Sequence, residues 1–153
     1  MKKRRGFVQL AILHLLREGS MHGYQIMKEL EERSDGLYNA SAGTIYPALQ
    51  ELLYEGAIEL HEDEPDKKVY SIIEVGEKRL MEYAENEGED FWVDWKERQV
   101  WRNSKESVLL RHAIKQWDLE LKKTMKHIRQ SPEKAPQLVE LIEETTERLK
   151  EFR

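Results

Sequence analysis

Residues 41–56, "SAGTIYPALQELLYEG", place a proline inside a stretch that otherwise has the pattern of a helix. From Ile45 to Leu53, leucine and isoleucine recur at intervals of four, seven and eight residues, which predicts one apolar helix face. An interior proline costs about 3 kcal/mol, because it lacks an N–H and its ring strikes the carbonyl four residues earlier. For Pro47 that carbonyl belongs to Gly43, so the start of this helix must relieve the strain.

Two helix starts can accommodate the proline. With Thr44 as the N-cap, Pro47 falls in the first turn, where its missing N–H needs no partner. With Ser41 as the N-cap, the first turn is distorted. Both starts leave Gly43 as bare backbone at the helix entrance, where a phosphate could approach free N–H groups and the positive end of the helix dipole. The alternative is an ordinary turn before a core helix, and spacing alone does not separate the two.

Two further helices are predicted before this one. Residues 6–17, "GFVQLAILHLLR", are apolar on nearly every side, as expected of a helix buried in a small domain. Residues 24–33 place Tyr24, Met27 and Leu30 on one stripe at helical spacing, which predicts the buried face of a second helix.

After Gly56 the pattern changes to the alternation expected of strands, in "AIELHED" and "KKVYSII", with "EDEPDKK" at the hairpin tip. Three helices followed by a hairpin is the order of a winged helix-turn-helix domain. In that architecture the third helix enters the major groove of DNA, and the hairpin, or wing, contacts the flanking backbone. We expect a mainly α protein with a small β-hairpin (α+β), with this domain at residues 1–73.

Residues 74–153 predict further helices with long apolar stripes. One stripe comprises Leu110, Ile114, Trp117, Leu121, Met125 and Ile128, and a last helix carries another from Leu138 to Phe152. A thin helical region cannot cover such stripes by itself. A second copy of the chain could cover them, so we expect a helical dimerisation and effector-binding region and a homodimer.

Composition limits the classes of protein that remain. The 153 residues are 39% hydrophobic and 36% charged, and no apolar run approaches the roughly 20 residues of a membrane span. The basic and then apolar opening imitates a signal peptide, but Gln9 and His14 interrupt it, so we expect no membrane segment and a cytoplasmic location. The absence of cysteine excludes disulfides and thiol chemistry, and the net charge of −5 contrasts with basic clusters at residues 2–5 and 67–68.

Four motifs resemble, in order and spacing, the PadR family of bacterial transcriptional regulators. These are "HGY" at 22–24, "GTIYPAL" at 43–49, "EG" at 55–56 and "KKVYSI" in the second wing strand. The resemblance covers about the first 80 residues. It implies a homodimeric repressor on a palindromic double-stranded DNA operator, often released by a small aromatic or lipophilic effector.

The resemblance also implies roles for individual residues. Thr44 and Gln50 would contact base edges or backbone from the recognition helix, and Tyr46 and Tyr24 would contact phosphates. Lys67 and Lys68 match basic wing positions. The complete set of expected DNA contacts is Tyr24, Ser41, Gly43, Thr44, Tyr46, Gln50, Lys67, Lys68, Lys2, Lys3, Arg4 and Arg5.

The sequence departs from the family pattern at three places. One is the start of helix four, where the family usually has threonine and this chain has Ile73 and Glu74, so the helix cap is weaker or shifted. The hairpin tip is acidic where family wings are commonly basic, which favours an alternative function as a protein-interaction module without specific DNA binding. His14 lies where the first helix is normally apolar or small. A buried neutral imidazole is expected there, and the alternative is a histidine near a dimer seam that makes binding pH-dependent.

An aromatic group in the second half has two interpretations. It comprises Phe91, Trp92, Trp95, Trp101 and Trp117. Flat aromatic walls suit an effector pocket or a dimer contact, whereas aromatic residues at helical spacing more often pack in a core. No catalytic set and no metal-spaced histidines appear in the sequence. We therefore expect neither an enzyme nor a bound metal or cofactor.

Overall fold

The computed structural model describes residues 2–64, 67–87 and 90–153, except for the side chains of residues 2–5, 63, 64 and 87. These residues form helices, a three-stranded sheet and one short 3-10 turn. The helices are α1 (Lys2–Glu18), α2 (Gly23–Glu32), α3 (Ala42–Tyr54), α4 (Glu74–Glu87), α5 (Phe91–Asn103), α6 (Lys105–Ile128) and α7 (Ala135–Lys150). The strands are β1 (Met21–His22), β2 (Ile58–Glu64) and β3 (Lys67–Ile72), and the 3-10 turn is Pro132–Lys134.

Helix α1 forms the centre of the N-terminal core. Ala11, Ile12, Leu13 and Leu15 are completely buried, which confirms the prediction from the apolar run. The core continues through one face each of α2 and α3 and through Tyr70 of β3. Burial of these apolar side chains, each contributing roughly 1.5–3 kcal/mol, stabilises the arrangement that holds α3 in place.

The sheet confirms the predicted wing and adds one strand. β2 and β3 pair antiparallel with Ile58 opposite Ile72. β1 pairs with the other edge of β3 and places Met21 opposite Tyr70, so the strand order is β1-β3-β2. The mainly α fold with a small antiparallel sheet is therefore that of a winged helix.

The predicted buried stripe of α2 was wrong at one position. Tyr24 is 71% exposed, and the buried face consists of Gly23, Ile26 and Leu30. The helix is turned so that Gly23 faces inwards, because the ring of Tyr46 lies against it. That rotation moves Tyr24 to the outer surface.

The chain divides into two compact units after Ser104. The N-terminal unit includes α4 and α5, whose Leu80, Phe91 and Trp95 join its core. The C-terminal unit, Lys105–Arg153, consists of α6, the 3-10 turn and α7. The sequence analysis assigned DNA binding to residues 1–73 and dimerisation to residues 74–153. That division by role stays a prediction.

Among the described residues, no helix combines the length and the apolar character that crossing a bilayer requires.

Candidate nucleic-acid interface

Helix α3 presents one exposed stripe to solvent. Gly43, Pro47, Gln50 and Tyr54 are exposed and follow one another at gaps of four, three and four residues, so they lie along one side of the helix. Its opposite side, from Ile45 to Leu52, is packed into the core. A helix buried on one side and open along the other can be inserted into a groove without disturbing its own domain.

The start of α3 follows the Ser41 alternative. Ser41 is the N-cap, and the N–H groups of Thr44 and Ile45 both donate to its carbonyl at 3.0 Å. The hydroxyls of Ser41 and Thr44 lie 3.1 Å apart. Pro47 is thus one turn inside the helix, where it cannot donate to the carbonyl of Gly43.

Gly43 lies at an open helix entrance. No atom of the described residues outside its immediate helical surroundings comes within 4 Å of the position where a Cβ would stand. Packing therefore does not require a glycine here. The first N–H groups of the helix, at Ala42 and Gly43, have no carbonyl one turn earlier, and the positive end of the helix dipole lies at the same place.

The two tyrosines of the expected DNA contacts lie on the surface of the N-terminal unit. Tyr46 is 41% exposed, and the hydroxyl end of its ring lies against Gly23: a Cβ at Gly23 would stand only 2.9 Å from the Tyr46 hydroxyl oxygen. The glycine in "HGY" and the tyrosine in "GTIYP" are therefore complementary in shape. Tyr24, next to Gly23, projects into solvent.

The wing carries positive and negative side chains side by side. Lys67 and Lys68 are exposed on β3, and Lys68 lies opposite Glu62 of β2. The Nδ1–H of His22 donates to the carbonyl of Lys68 at 3.2 Å, which joins the start of α2 to the wing. Pro65 and Asp66 of the hairpin tip lie outside the described residues.

The basic cluster Lys2, Lys3, Arg4 and Arg5 begins α1. Its side chains lie outside the part of the chain that the structure describes, so their expected DNA contacts stay predictions.

Both carboxylates on the flank of α3 are held by other helices. Gln9 of α1 donates from Nε2 to Glu51 at 2.7 Å, and Arg79 of α4 pairs with Glu55 at 3.0 Å. Arg79 also donates to the Oε1 of Gln9 at 2.7 Å. The acidic side chains of α3 are thereby turned towards α1 and α4 and away from the exposed stripe.

Phe91 and Trp95 lie in the core of the N-terminal unit. Trp95 is completely buried; its ring stacks on Phe7 at 5.6 Å between centroids and meets Tyr38 edge-on at 4.9 Å. For Phe91 and Trp95 the structure favours packing over an effector or dimer contact, because neither presents a surface to another molecule. Trp92 lies at the edge of this core, and the guanidinium of Arg33 lies over its ring.

The other two tryptophans have different surroundings. Trp101 at the end of α5 is 55% exposed, and Trp117 on α6 is 57% exposed. In the C-terminal unit, α6 and α7 form a groove of about 230 Å³. Its lining comprises Trp117, Glu120, Leu121, Thr124, Leu138, Leu141, Ile142 and Thr145.

His14 is only partly buried, and its surroundings favour the neutral imidazole. Burial and then the positive charge of Arg17 lower its pKa from 6.5 to about 4. Its ring stacks on Phe91 at 4.2 Å, and its Nε2 is buried with no hydrogen-bond partner among the described residues. Protonation would place a charge where little can solvate it.

Residues 12–82 match the family model of the transcriptional regulator PadR-like family. This similarity to the family covers just under half of the chain. The matched segment runs from the middle of α1 into α4 and contains the whole of α3 and the wing.

Two relatives illustrate the similarity. The transcriptional regulator YqjI of Escherichia coli strain K12 is 36% identical over 80 residues, which are 52% of this chain and 39% of that protein. The negative transcriptional regulator PadR of Bacillus subtilis strain 168 is 31% identical over 80 residues, 50% of this chain and 44% of that protein. The chain thus spans about two fifths of the length of these relatives.

A solved structure, that of a transcriptional regulator from Clostridium thermocellum, is similar at a TM-score of 0.51 and 32% identity. The similarity covers 56% of this chain and 84% of that chain. It supports the winged-helix assignment of the N-terminal unit.

Two features of the site were not predicted from the sequence. Tyr54 is 94% exposed at the end of the α3 stripe, and counting four residues on from Gln50 would have found it. The two partners of the Gln9 amide, Glu51 and Arg79, come from distant parts of the chain, so no local pattern indicates them. Among the described residues no cluster of three or more metal-binding side chains occurs.

Proposed function

We propose that this chain is a transcriptional repressor of the PadR-like family that binds double-stranded operator DNA through α3. The observation that carries the proposal is the exposed stripe of α3, which begins at an open glycine and contains Gln50 but no carboxylate. A helix of this kind in a winged-helix domain is the element that enters the major groove. The Bacillus subtilis relative is named a negative transcriptional regulator, which supports repression.

The surroundings of α3 suit a DNA backbone. Phosphate oxygens accept hydrogen bonds from hydroxyls and from N–H groups at a helix start. Tyr24 and Tyr46 are exposed tyrosine side chains, and Gly43 offers backbone. Ser41 and Thr44 have exposed hydroxyls at the helix entrance, and Lys67 and Lys68 would reach flanking phosphates from the wing.

We further propose that the protein acts as a homodimer in the cytoplasm, through apolar surface of the C-terminal unit. Leu110, Ile114 and Trp117 of α6 are more than half exposed, and so are Leu141 and Leu149 of α7. Large exposed apolar patches on a protein surface usually mark a site that binds another molecule. A two-fold dimer would match a palindromic operator, since each subunit would read one half-site.

An effector would fit the groove between α6 and α7. Leu121, Leu138 and Ile142 provide apolar walls, Trp117 an aromatic one, and Thr124 a hydroxyl. A volume of about 230 Å³ suits a small aromatic or lipophilic compound and is below the range of most drug-sized pockets. Because this groove belongs to the unit with the proposed dimer surface, an occupant could alter the dimer and hence the spacing of the two α3 helices.

The test is selection of duplexes from a random pool, followed by anisotropy titration of the selected and a scrambled duplex across a range of salt concentrations. A repressor should prefer the selected duplex by at least about a thousandfold, with log affinity falling linearly in log salt. Gln50→Ala should change the preferred sequence. Replacing Lys67 and Lys68 by alanine should weaken binding to both duplexes. It should also reduce the slope of log affinity against log salt concentration by about one to two.

One observation favours a second function. The outer strand of the wing exposes Glu59 and Glu62, which would repel phosphates. A protein-interaction module with a winged-helix fold would bind both duplexes equally weakly at all salt concentrations. That result would overturn the DNA-binding proposal.

A further inference from the structure

A buried polar side chain connects three helices next to α3. Gln9 of α1 is 4% exposed, although a glutamine is mostly found on protein surfaces. Its Nε2 donates to Glu51 of α3 and its Oε1 accepts from Arg79 of α4, both at 2.7 Å. Arg79 continues the network by pairing with Glu55, one turn after Glu51.

The chemistry of the partners fixes the orientation of the Gln9 amide. A carboxylate only accepts hydrogen bonds, and a guanidinium only donates them. Turning the amide over would point its oxygen at Glu51 and its N–H groups at Arg79, which replaces two good hydrogen bonds by two repulsive contacts. The Gln9 amide therefore has one orientation, and a side-chain network held at both ends of a buried amide favours a single packing geometry.

This arrangement fixes the rotation of α3 about its own axis. Glu51 and Glu55 lie on the flank of the helix, between its buried face and the exposed stripe with Gln50. Side-chain ends lie roughly 6 Å from a helix axis, so a rotation of about 10° moves them by about 1 Å. The usual range of hydrogen-bond lengths spans only about 0.5 Å, so such a shift would break a base contact.

We propose that Gln9 and Arg79 are positioning residues that set the DNA sequence preference by holding Glu51 and Glu55. The inference rests on the proposed DNA-binding function. Neither residue lies on the exposed stripe of α3, so they act on the DNA only through α3. Holding the carboxylates against α1 and α4 also keeps two negative charges away from the groove.

The decisive experiment exchanges the amide and the carboxylate. Gln9→Glu puts two carboxylates against each other. Glu51→Gln alone keeps an acceptor for Gln9. In the double variant, the carboxylate introduced at position 9 accepts from Arg79 and from the new amide at position 51, so both hydrogen bonds of position 9 return with the net charge of the wild type. The measurement is the ratio of the dissociation constants for a scrambled duplex and for the duplex that the wild type selects, at several salt concentrations.

The proposal predicts that Gln9→Glu lowers this ratio by about tenfold, that Glu51→Gln changes it less than about threefold, and that the double variant restores it. The salt slope should be unchanged, because no phosphate contact is lost. Gln130→Glu, at an exposed position after α6, adds the same charge and should leave the ratio unaltered. Partial unfolding lowers the affinity for both duplexes equally, so the ratio separates positioning from stability.

Arg79→Lys provides a second test that retains the charge and the fold. A lysine lacks the planar guanidinium whose separate N–H groups contact Gln9 and Glu55, so it cannot hold both in the same geometry. We therefore expect the ratio of dissociation constants to fall by about threefold to fivefold. An unchanged ratio in Gln9→Glu and Arg79→Lys, or a double variant as unselective as Gln9→Glu, would overturn the inference. If the wild type itself selects no duplex, the proposed function fails first, and the inference fails with it.

Discussion

The stability of the N-terminal unit should decrease between pH 7 and pH 5 because of His14. Arg17 donates to Nδ1 of this ring at 3.4 Å, so the proton of the neutral imidazole belongs on Nε2, which is buried. The ring itself stacks on Phe91. Burial, followed by the charge of Arg17, lowers the pKa of His14 to about 4. In the unfolded chain the pKa is near 6.5.

The direction of the effect follows from proton binding. Below pH 6.5 the unfolded chain binds a proton at His14 that the folded chain does not bind until about pH 4. The free energy of unfolding, as far as it depends on His14, is therefore largest above pH 6.5 and decreases as the pH falls towards 4. The difference between the two pKa values corresponds to about 3 kcal/mol, and partial exposure of the ring reduces this to about 1.5 kcal/mol through solvent screening.

Urea unfolding of the wild type and of His14→Leu at pH 7 and pH 5 would test this. The wild type should lose about 1 kcal/mol between these pH values, and His14→Leu should lose much less. The exposed His112 supplies the control, since His112→Gln should behave as the wild type does. Glu18, whose pKa is lowered mainly by its hydrogen bond with Arg33, contributes only below its usual range near 4.5. An equal loss in His14→Leu would refute the reasoning.

Two glycines give further predictions. Gly76→Ala should destabilise the fold by about 3 kcal/mol, measured by thermal unfolding, because its methyl group would meet Ile72 Cγ1 at 2.7 Å and press on the Ala57 carbonyl oxygen still more closely. Gly23→Ala should cost only about 1 kcal/mol, since the ring of Tyr46 can turn away, but it should weaken DNA binding about as much as Tyr46→Phe does. A Gly23→Ala variant with full DNA affinity would show that the position of this ring does not matter.

Much of the fold could be predicted because local patterns and tertiary packing agree there. The apolar α1 and the alternating wing strands each have the period of the element they form, and their boundaries agree with the structure within a few residues. β1 was missed because two residues carry no period; it exists only because β3 offers an edge. The stripe of α2 was wrong at Tyr24 because the rotation of that helix depends on Gly23 fitting the ring of Tyr46, a contact between residues far apart in the sequence.

The site was less predictable because its geometry depends on pairs that no spacing rule connects. The sequence presents Gln9 and His14 simply as two polar interruptions of one apolar helix. In the structure the two side chains differ in their hydrogen-bond partners. Glu51 and Arg79 form hydrogen bonds with both ends of the Gln9 amide. For His14, by contrast, burial and then the charge of Arg17 lower the pKa and favour the neutral ring. The difference lies in residues 42 and 70 positions away from Gln9. A polar residue in a buried helix therefore signals a constraint, and only the packed neighbours decide whether that constraint orients a binding helix or adjusts stability to pH.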